Sequence, residues 1–143
     1  MKKGFRDFLR ELEQAGELTR VKKPVDLRDV SALLAQSSEA LILENLKEYP
    51  EWQLAGALVS TRKRLALAMG CAQNDVAVRF EQGLARLIEP VMVKDAPCQE
   101  VVLKGKDVDL TAIPYPLMHV LDGGPYLSAT LVVSKDPEFG RNI

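Results

Sequence analysis

The chain is poor in the residues that build covalent or metal-held scaffolds: among 143 residues there are two cysteines and one histidine. Cys71 and Cys98 share no CxxC spacing, which excludes a zinc ribbon or dithiol redox motif and predicts two reduced thiols. Cys71 follows Gly70 at an expected helix end and reads as a small buried side chain. Cys98 follows Pro97 with no neighbouring group to lower its pKa, which argues against a nucleophile. Net charge is lacking too. Lys and Arg number 19 against 20 Asp and Glu, leaving −1, so there is no field to attract nucleic acid or an anionic membrane. No apolar run approaches the roughly 20 residues of a membrane span. The basic start MKKGFRDFLRELEQ turns amphipathic and acidic where a signal peptide would become apolar, so a cytoplasmic location is expected. Internal repeats and low-complexity tracts are absent, which excludes a solenoid and a disordered tail.

What is present alternates between helix and strand. Phe5, Phe8, Leu9, Leu12 and Ala15 recur at helical spacing, and Gly16 supplies a stop. Glu17 to Lys22 alternates around Leu18 and Val21 as a short strand, and a helix follows from Pro24 and Asp26 through Leu27, Val30, Leu33 and Leu34. Ala40 to Leu46 is an apolar strand, broken by Tyr49-Pro50, and Leu54 to Val59 forms another. Ser60 or Thr61 caps a helix carrying Leu65, Leu67 and Met69 and ending at Gly70. Asn74 or Asp75 caps the next, through Val78, Leu84 and Leu87, before Pro90. Arg62, Lys63 and Arg64 form the one basic cluster; with no glycine-rich loop before them they read as a solvated helix face, not a phosphate site.

From Val91 the character changes to strand candidates separated by Gly, Pro and Asp: Val91–Val93, Gln99–Leu103 and Leu127–Ser134. Pro114, Pro116 and Pro125 forbid a helix between them. The Asp122-Gly123-Gly124-Pro125 run is a turn signal, because glycine takes positive φ and proline fixes the exit. After it, Tyr126, Ser128, Thr130 and Val132 alternate with Leu127, Ala129, Leu131 and Val133, giving one face more polar than the other. His119 has no carboxylate at a readable spacing and is more simply a structural or surface group than a base. Asp107 and Asp109, two apart beside a Gly-Lys turn, read as turn formers before cation ligands.

The segments KDAPCQEVVL (Lys94 to Leu103), DVDLTAIPYP (Asp107 to Pro116), His119 with DGGPY (Asp122 to Tyr126) and DPEFGRN (Asp136 to Asn142) together resemble the UbiD family of prenylated-FMN-dependent decarboxylases. Weaker matches lie in GFRDFLRELEQAGELTRVKKPVD, LILENLKEYP and STRKRLALAMG, so the similarity spans essentially the whole chain. Family members are several times longer. The resemblance implies an α+β fold, with a small mixed sheet and about four helices over residues 1–105. Residues 106–143 would then be the opening strands of a flavin-reductase-like split β-barrel, the start of the prenylated-FMN-binding domain.

It also implies that Asn142, within GRN, is a ligand of a divalent cation, usually Mn²⁺, that bridges the protein to the cofactor phosphate; an amide oxygen suits such a hard ion. The arginine, the acidic pair and the further metal ligands that the family uses lie beyond this stretch, so no catalytic residue is assigned here, and the cofactor-binding residues stay unassigned. The implied cofactors are prenylated FMN and Mn²⁺, neither expected to be held by this chain alone. The implied partners are the remainder of the enzyme or a complementary subunit, an aromatic or α,β-unsaturated carboxylic acid, and further copies in a homo-oligomer.

Three functional classes remain open on the residues: the N-terminal portion of a UbiD-like carboxy-lyase, a non-catalytic assembly module derived from that N-terminal domain, and an unrelated small α/β binding protein. An unpaired apolar edge at Leu127 to Val133 would favour the first.

Overall fold

Four consecutive apolar residues on a strand point to both faces of a sheet, so both faces must be covered. In the computed structural model, which describes residues 4–86, 88–89, 91–132, 134 and 136–138, Ala40, Leu41, Ile42 and Leu43 are all buried. They form the central strand, β2 (Ala40–Leu43). It runs parallel to β1 (Leu18–Val21), with Leu18 opposite Ala40. It runs antiparallel to β3 (Leu54–Gly56), with Leu41 opposite Gly56. The order β1-β2-β3 makes the expected small mixed sheet.

Leu41 and Leu43 face one side, in a cluster with Val25, Val30 and Leu46 that α2 (Val30–Gln36) covers through Leu33 and Leu34. Ala40 and Ile42 face the other side with Leu12 and Leu18, under Phe8 and Leu9 of α1 (Phe5–Gln14) and Leu67 of α3 (Arg62–Met69). A helix α4 (Val76–Leu84) follows a 3-10 turn at Gln73–Asp75 and packs on α3. Four α-helices around a mixed sheet are thus present among the described residues, in the α+β class.

The helix ends follow local chemistry. At Gly16 (φ 67°) the Glu17 N–H donates to Leu12 O at 2.8 Å and the Gly16 N–H to Glu13 O at 3.1 Å. At Gly70 (φ 63°) the Cys71 N–H reaches Ala66 O at 3.1 Å and the Gly70 N–H reaches Leu67 O at 3.2 Å. Both are Schellman closures, which need a left-handed residue that glycine adopts without penalty. Thr61 caps α3, its Oγ1 accepting from the Arg64 N–H at 3.2 Å. Helix α2 starts later than Asp26 suggests. The Asp26 carboxylate accepts from the Arg28 N–H at 3.0 Å and from its guanidinium, and this local turn delays the helix to Val30.

Beyond Leu84 the expectation of strands is corrected. The described residues there form only 3-10 turns, at Pro97–Gln99, Gly105–Asp107 and Leu110–Ala112. Val101, Val102 and Leu103 are exposed, and Leu127 to Val132 carries no ladder, so the opening strands of a split barrel do not form among these residues. A strand is made by its neighbour, and alternation alone cannot supply one. The segment is nevertheless attached: Tyr49 Oη donates to Thr111 O at 2.9 Å, and Pro114 and Pro116 are buried.

Candidate functional site

The basic cluster divides on folding. Arg62 and Lys63 stay exposed, as a solvated face requires, but Arg64 is only 2% exposed. The third charge of the run, in the first turn of α3, is turned inward. One of its terminal nitrogens donates to Glu17 Oε2 at 3.2 Å and to Ser38 O at 2.9 Å, and the other to Ser60 Oγ at 2.7 Å. Lys63 Nζ also donates to the Glu17 carboxylate. That hydrogen bond, aided by Arg64, holds the Glu17 carboxyl below the usual carboxylate range against the opposing effect of desolvation. Both cations are thereby committed to tying the turn after α1 to α3. Lys63 and Arg64 form a structural clamp, and sequence reading missed it because Glu17 lies 47 residues before Arg64.

The motif residues of the C-terminal segment sit on one short stretch folded back against Tyr49. Asp109 accepts from the Thr111 N–H at 2.8 Å and the Thr111 hydroxyl at 2.6 Å, and the hydroxyl bond chiefly lowers its pKa. It therefore caps the Leu110–Ala112 turn and presents the Thr111 carbonyl to Tyr49, the turn-forming role expected of it. Asp107 lies in the preceding 3-10 turn.

The Tyr126 N–H donates to Pro116 O at 3.1 Å and closes a loop over residues 116–126 whose ends are adjacent, an Ω-type arrangement. Within it Asp122 Oδ2 accepts from the His119 N–H at 2.8 Å, while the Asp122 N–H donates to His119 O at 3.1 Å. His119 is exposed at the loop tip, and the contact that ties it to Asp122 uses its backbone, not its imidazole. The loop can position groups for a partner surface, but it assembles no acid–base pair.

Asn142, the residue expected to ligate a metal, lies outside the described residues. Among the described residues no three His, Cys, Asp or Glu side chains gather as a metal site. Both cysteines are free, Cys98 exposed and Cys71 half-buried at the end of α3, less enclosed than its position after Gly70 suggested. No helix among the described residues is long and apolar enough to cross a membrane.

Comparison with known proteins bears on both halves. Residues 9–83 match the model of the 3-octaprenyl-4-hydroxybenzoate carboxy-lyase N-terminal domain, and residues 90–143 match that enzyme's Rift-related domain. Among solved structures, 99% of the chain superposes on an evolved dimeric form of the UbiD-class enzyme HmfF from Pelotomaculum thermopropionicum in complex with prFMN, with TM-score 0.88 and 27% identity. The apo 3,4-dihydroxybenzoic acid decarboxylase of Enterobacter cloacae matches over 97% of the chain with TM-score 0.87 and 25% identity. The vanillic acid decarboxylase of Sedimentibacter hydroxybenzoicus matches over 97% with TM-score 0.78 and 28% identity. These matches cover 34%, 32% and 32% of the solved chains, so this chain spans about a third of their length. With both halves matched in order and the whole trace shared, the chain belongs to the UbiD carboxy-lyase family.

Proposed function

We propose that this chain forms the N-terminal portion of a UbiD-like carboxy-lyase that reversibly decarboxylates an aromatic or α,β-unsaturated carboxylic acid with prenylated FMN, and that it acts only when joined to the rest of such an enzyme. The observation that carries this reading is the superposition of nearly the whole chain on a third of an enzyme in complex with prFMN. The relatives named for 3,4-dihydroxybenzoic and vanillic acids favour an aromatic acid. Leu131 is 95% exposed and Val132 83%, apolar surface that supports a joined enzyme over a self-contained assembly module.

In this reading residues 1–105 are the N-terminal α+β domain and residues 106–143 begin the cofactor domain. The described residues do not by themselves fit a metal centre, since they bring no three ligands together. Asn142 supplies one oxygen ligand, and the joined portion supplies the others together with the catalytic arginine and carboxylates. Prenylated FMN, when bound, supplies the electron sink for loss of carbon dioxide. This chain's own share is a wall of the pocket, held in place through Tyr49 and the loop that Tyr126 closes on Pro116. A cytoplasmic homo-oligomer goes with this reading.

The test is decarboxylation of a panel of aromatic acids with prenylated FMN and Mn²⁺ supplied, comparing the chain alone with the chain joined to a UbiD-class downstream portion. Activity only in the joined form is the expected result. Turnover by the chain alone overturns the dependence on missing groups, and silence of both forms overturns the catalytic reading.

A further inference from the structure

Helix α4 carries an apolar row that its own domain covers only at one end. Val76, Phe80 and Leu84 are spaced i, i+4, i+8 and so lie one above the other on the same face. Val76 is buried where α4 starts against α3, whereas Phe80 is 61% and Leu84 62% exposed one and two turns further on. Gln82 lies on the opposite side of the helix. Past the helix end the exposed apolar character continues at Ile88, Val91 and Met92. A soluble helix normally turns such a row inward, so a row that is buried at one end and bare along the rest marks a surface made for another body.

The position of the row identifies that body. It lies where the match to the N-terminal domain ends, at residue 83, and just before the match to the Rift-related domain begins, at residue 90. The solved UbiD-class chains match 99% and 97% of this chain and have about two thirds of their length outside the matched region. A second copy of this chain is the weaker occupant, because two side chains on a nine-residue helix fall far short of the roughly 800 Å² per partner that a stable dimer buries. A catalytic portion held to the same polypeptide or assembly meets the patch at high effective concentration and needs no such area.

We infer that Phe80 and Leu84 form the docking face of α4 for the downstream catalytic portion of a UbiD-class enzyme, an inference that rests on the function proposed above. The residues around this face set how the two portions are held together, while chemistry is left to the other portion.

The test places the photoreactive residue p-benzoylphenylalanine at Phe80, at Leu84 or at Gln82, one at a time, in the protein as its own cell produces it. After irradiation the adducts are identified by mass spectrometry. The expected result is adducts from positions 80 and 84, but not 82, to UbiD-class peptides that lie outside residues 1–143. Adducts that join α4 to α4 of a second copy, adducts only to unrelated proteins, or none at all would overturn the inference. Decarboxylation assayed on the same preparations separates the two readings. Adducts without prenylated-FMN-dependent activity sink the catalytic proposal alone, and activity without adducts sinks the docking face alone.

Discussion

Arg64 of α3 donates to Glu17 Oε2 at 3.2 Å across 47 residues of sequence, and this pair joins the turn that ends α1 to the first turn of α3. The guanidinium is almost fully enclosed and also satisfies the Ser38 carbonyl and the Ser60 hydroxyl. Removing the guanidinium strips a buried donor from Glu17, Ser38 and Ser60 and leaves a cavity, although Lys63 still pairs with Glu17. Arg64→Ala is therefore expected to cost on the order of 3 kcal/mol, read as a lower urea midpoint at unchanged m-value. Arg64→Lys restores charge but not the fork that reaches three partners, so it recovers only part of the loss. An Arg64→Ala protein as stable as its parent would remove the clamp from this account.

The same pair sets part of the acid limb of stability. Lys63 and Arg64 hold the folded-state pKa of Glu17 below its ordinary value of 4.5. A depressed carboxyl pKa contributes stability that is fully present above the unfolded value and is lost as pH falls through the folded one. Urea midpoints measured from neutral pH downward should hold steady until about pH 4.5 and then decline. Glu17→Gln should start lower at neutral pH and decline less steeply below that point. The decline will not vanish, because hydrogen bonds to Arg20, Arg28 and Thr111 also lower the pKa values of Glu13, Asp26 and Asp109.

Gly56 sits where α2 presses on β3. A Cβ there would lie 2.5 Å from Leu34 Cδ2 and 2.8 Å from Cδ1, so neither methyl could stay in place. Leu34 is half-buried and packed against the cluster of Val30, Leu41 and Leu43, so turning its methyls aside gives up part of that packing. Gly56→Ala is expected to cost roughly 1–3 kcal/mol by overpacking. Pairing it with Leu34→Ala should recover part of that cost, a coupling that a double-mutant cycle of urea melts would measure.

How much of this was legible depends on where each residue finds its partner. The glycine stops at Gly16 and Gly70, the Thr61 cap and the buried strand Ala40–Leu43 were readable because each is decided within a few residues of chain. The inward turn of Arg64 was not, since nothing local distinguishes it from Arg62 and its anion comes from the far end of α1. The alternation in Leu127 to Val132 misled as to strand formation: all six residues are exposed and no ladder forms, because a strand needs a neighbour that the described residues do not offer. Asp122 was legible as a turn residue and His119 as a structural or surface group, and the structure joins them: the His119 N–H donates to Asp122 Oδ2. Asn142 was legible only through the family pattern.

Tyr49 fixes the C-terminal segment through a single hydroxyl, donated to Thr111 O at 2.9 Å. Tyr49→Phe keeps the ring packed against the cluster that includes Leu43 and Leu46 and removes only that bond, worth about 1 kcal/mol. Global stability should barely change, since the domain core does not depend on the segment. Limited proteolysis should instead cut faster between Val101 and Leu110, where the backbone is exposed and forms no strand. Unchanged cutting would mean that Pro114 and Pro116 anchor the segment without the tyrosine.

Asn142 separates metal binding from folding in the joined enzyme. An amide oxygen is a neutral ligand that suits Mn²⁺ once phosphate and carboxylate have balanced the charge, and alanine removes it without adding bulk or charge. If Asn142 supplies an oxygen ligand to the metal as proposed, Asn142→Ala should weaken Mn²⁺ binding, and with it prenylated FMN binding, roughly 10-fold or more by analogy with loss of metal-supporting groups. The urea midpoint of the cofactor-free protein should stay unchanged if the asparagine serves the metal and not the fold. Titration calorimetry with Mn²⁺ in the presence of cofactor distinguishes the cases. Loss of metal affinity with intact folding supports the assignment, and metal affinity unaltered by the substitution would mean that another residue holds the ion.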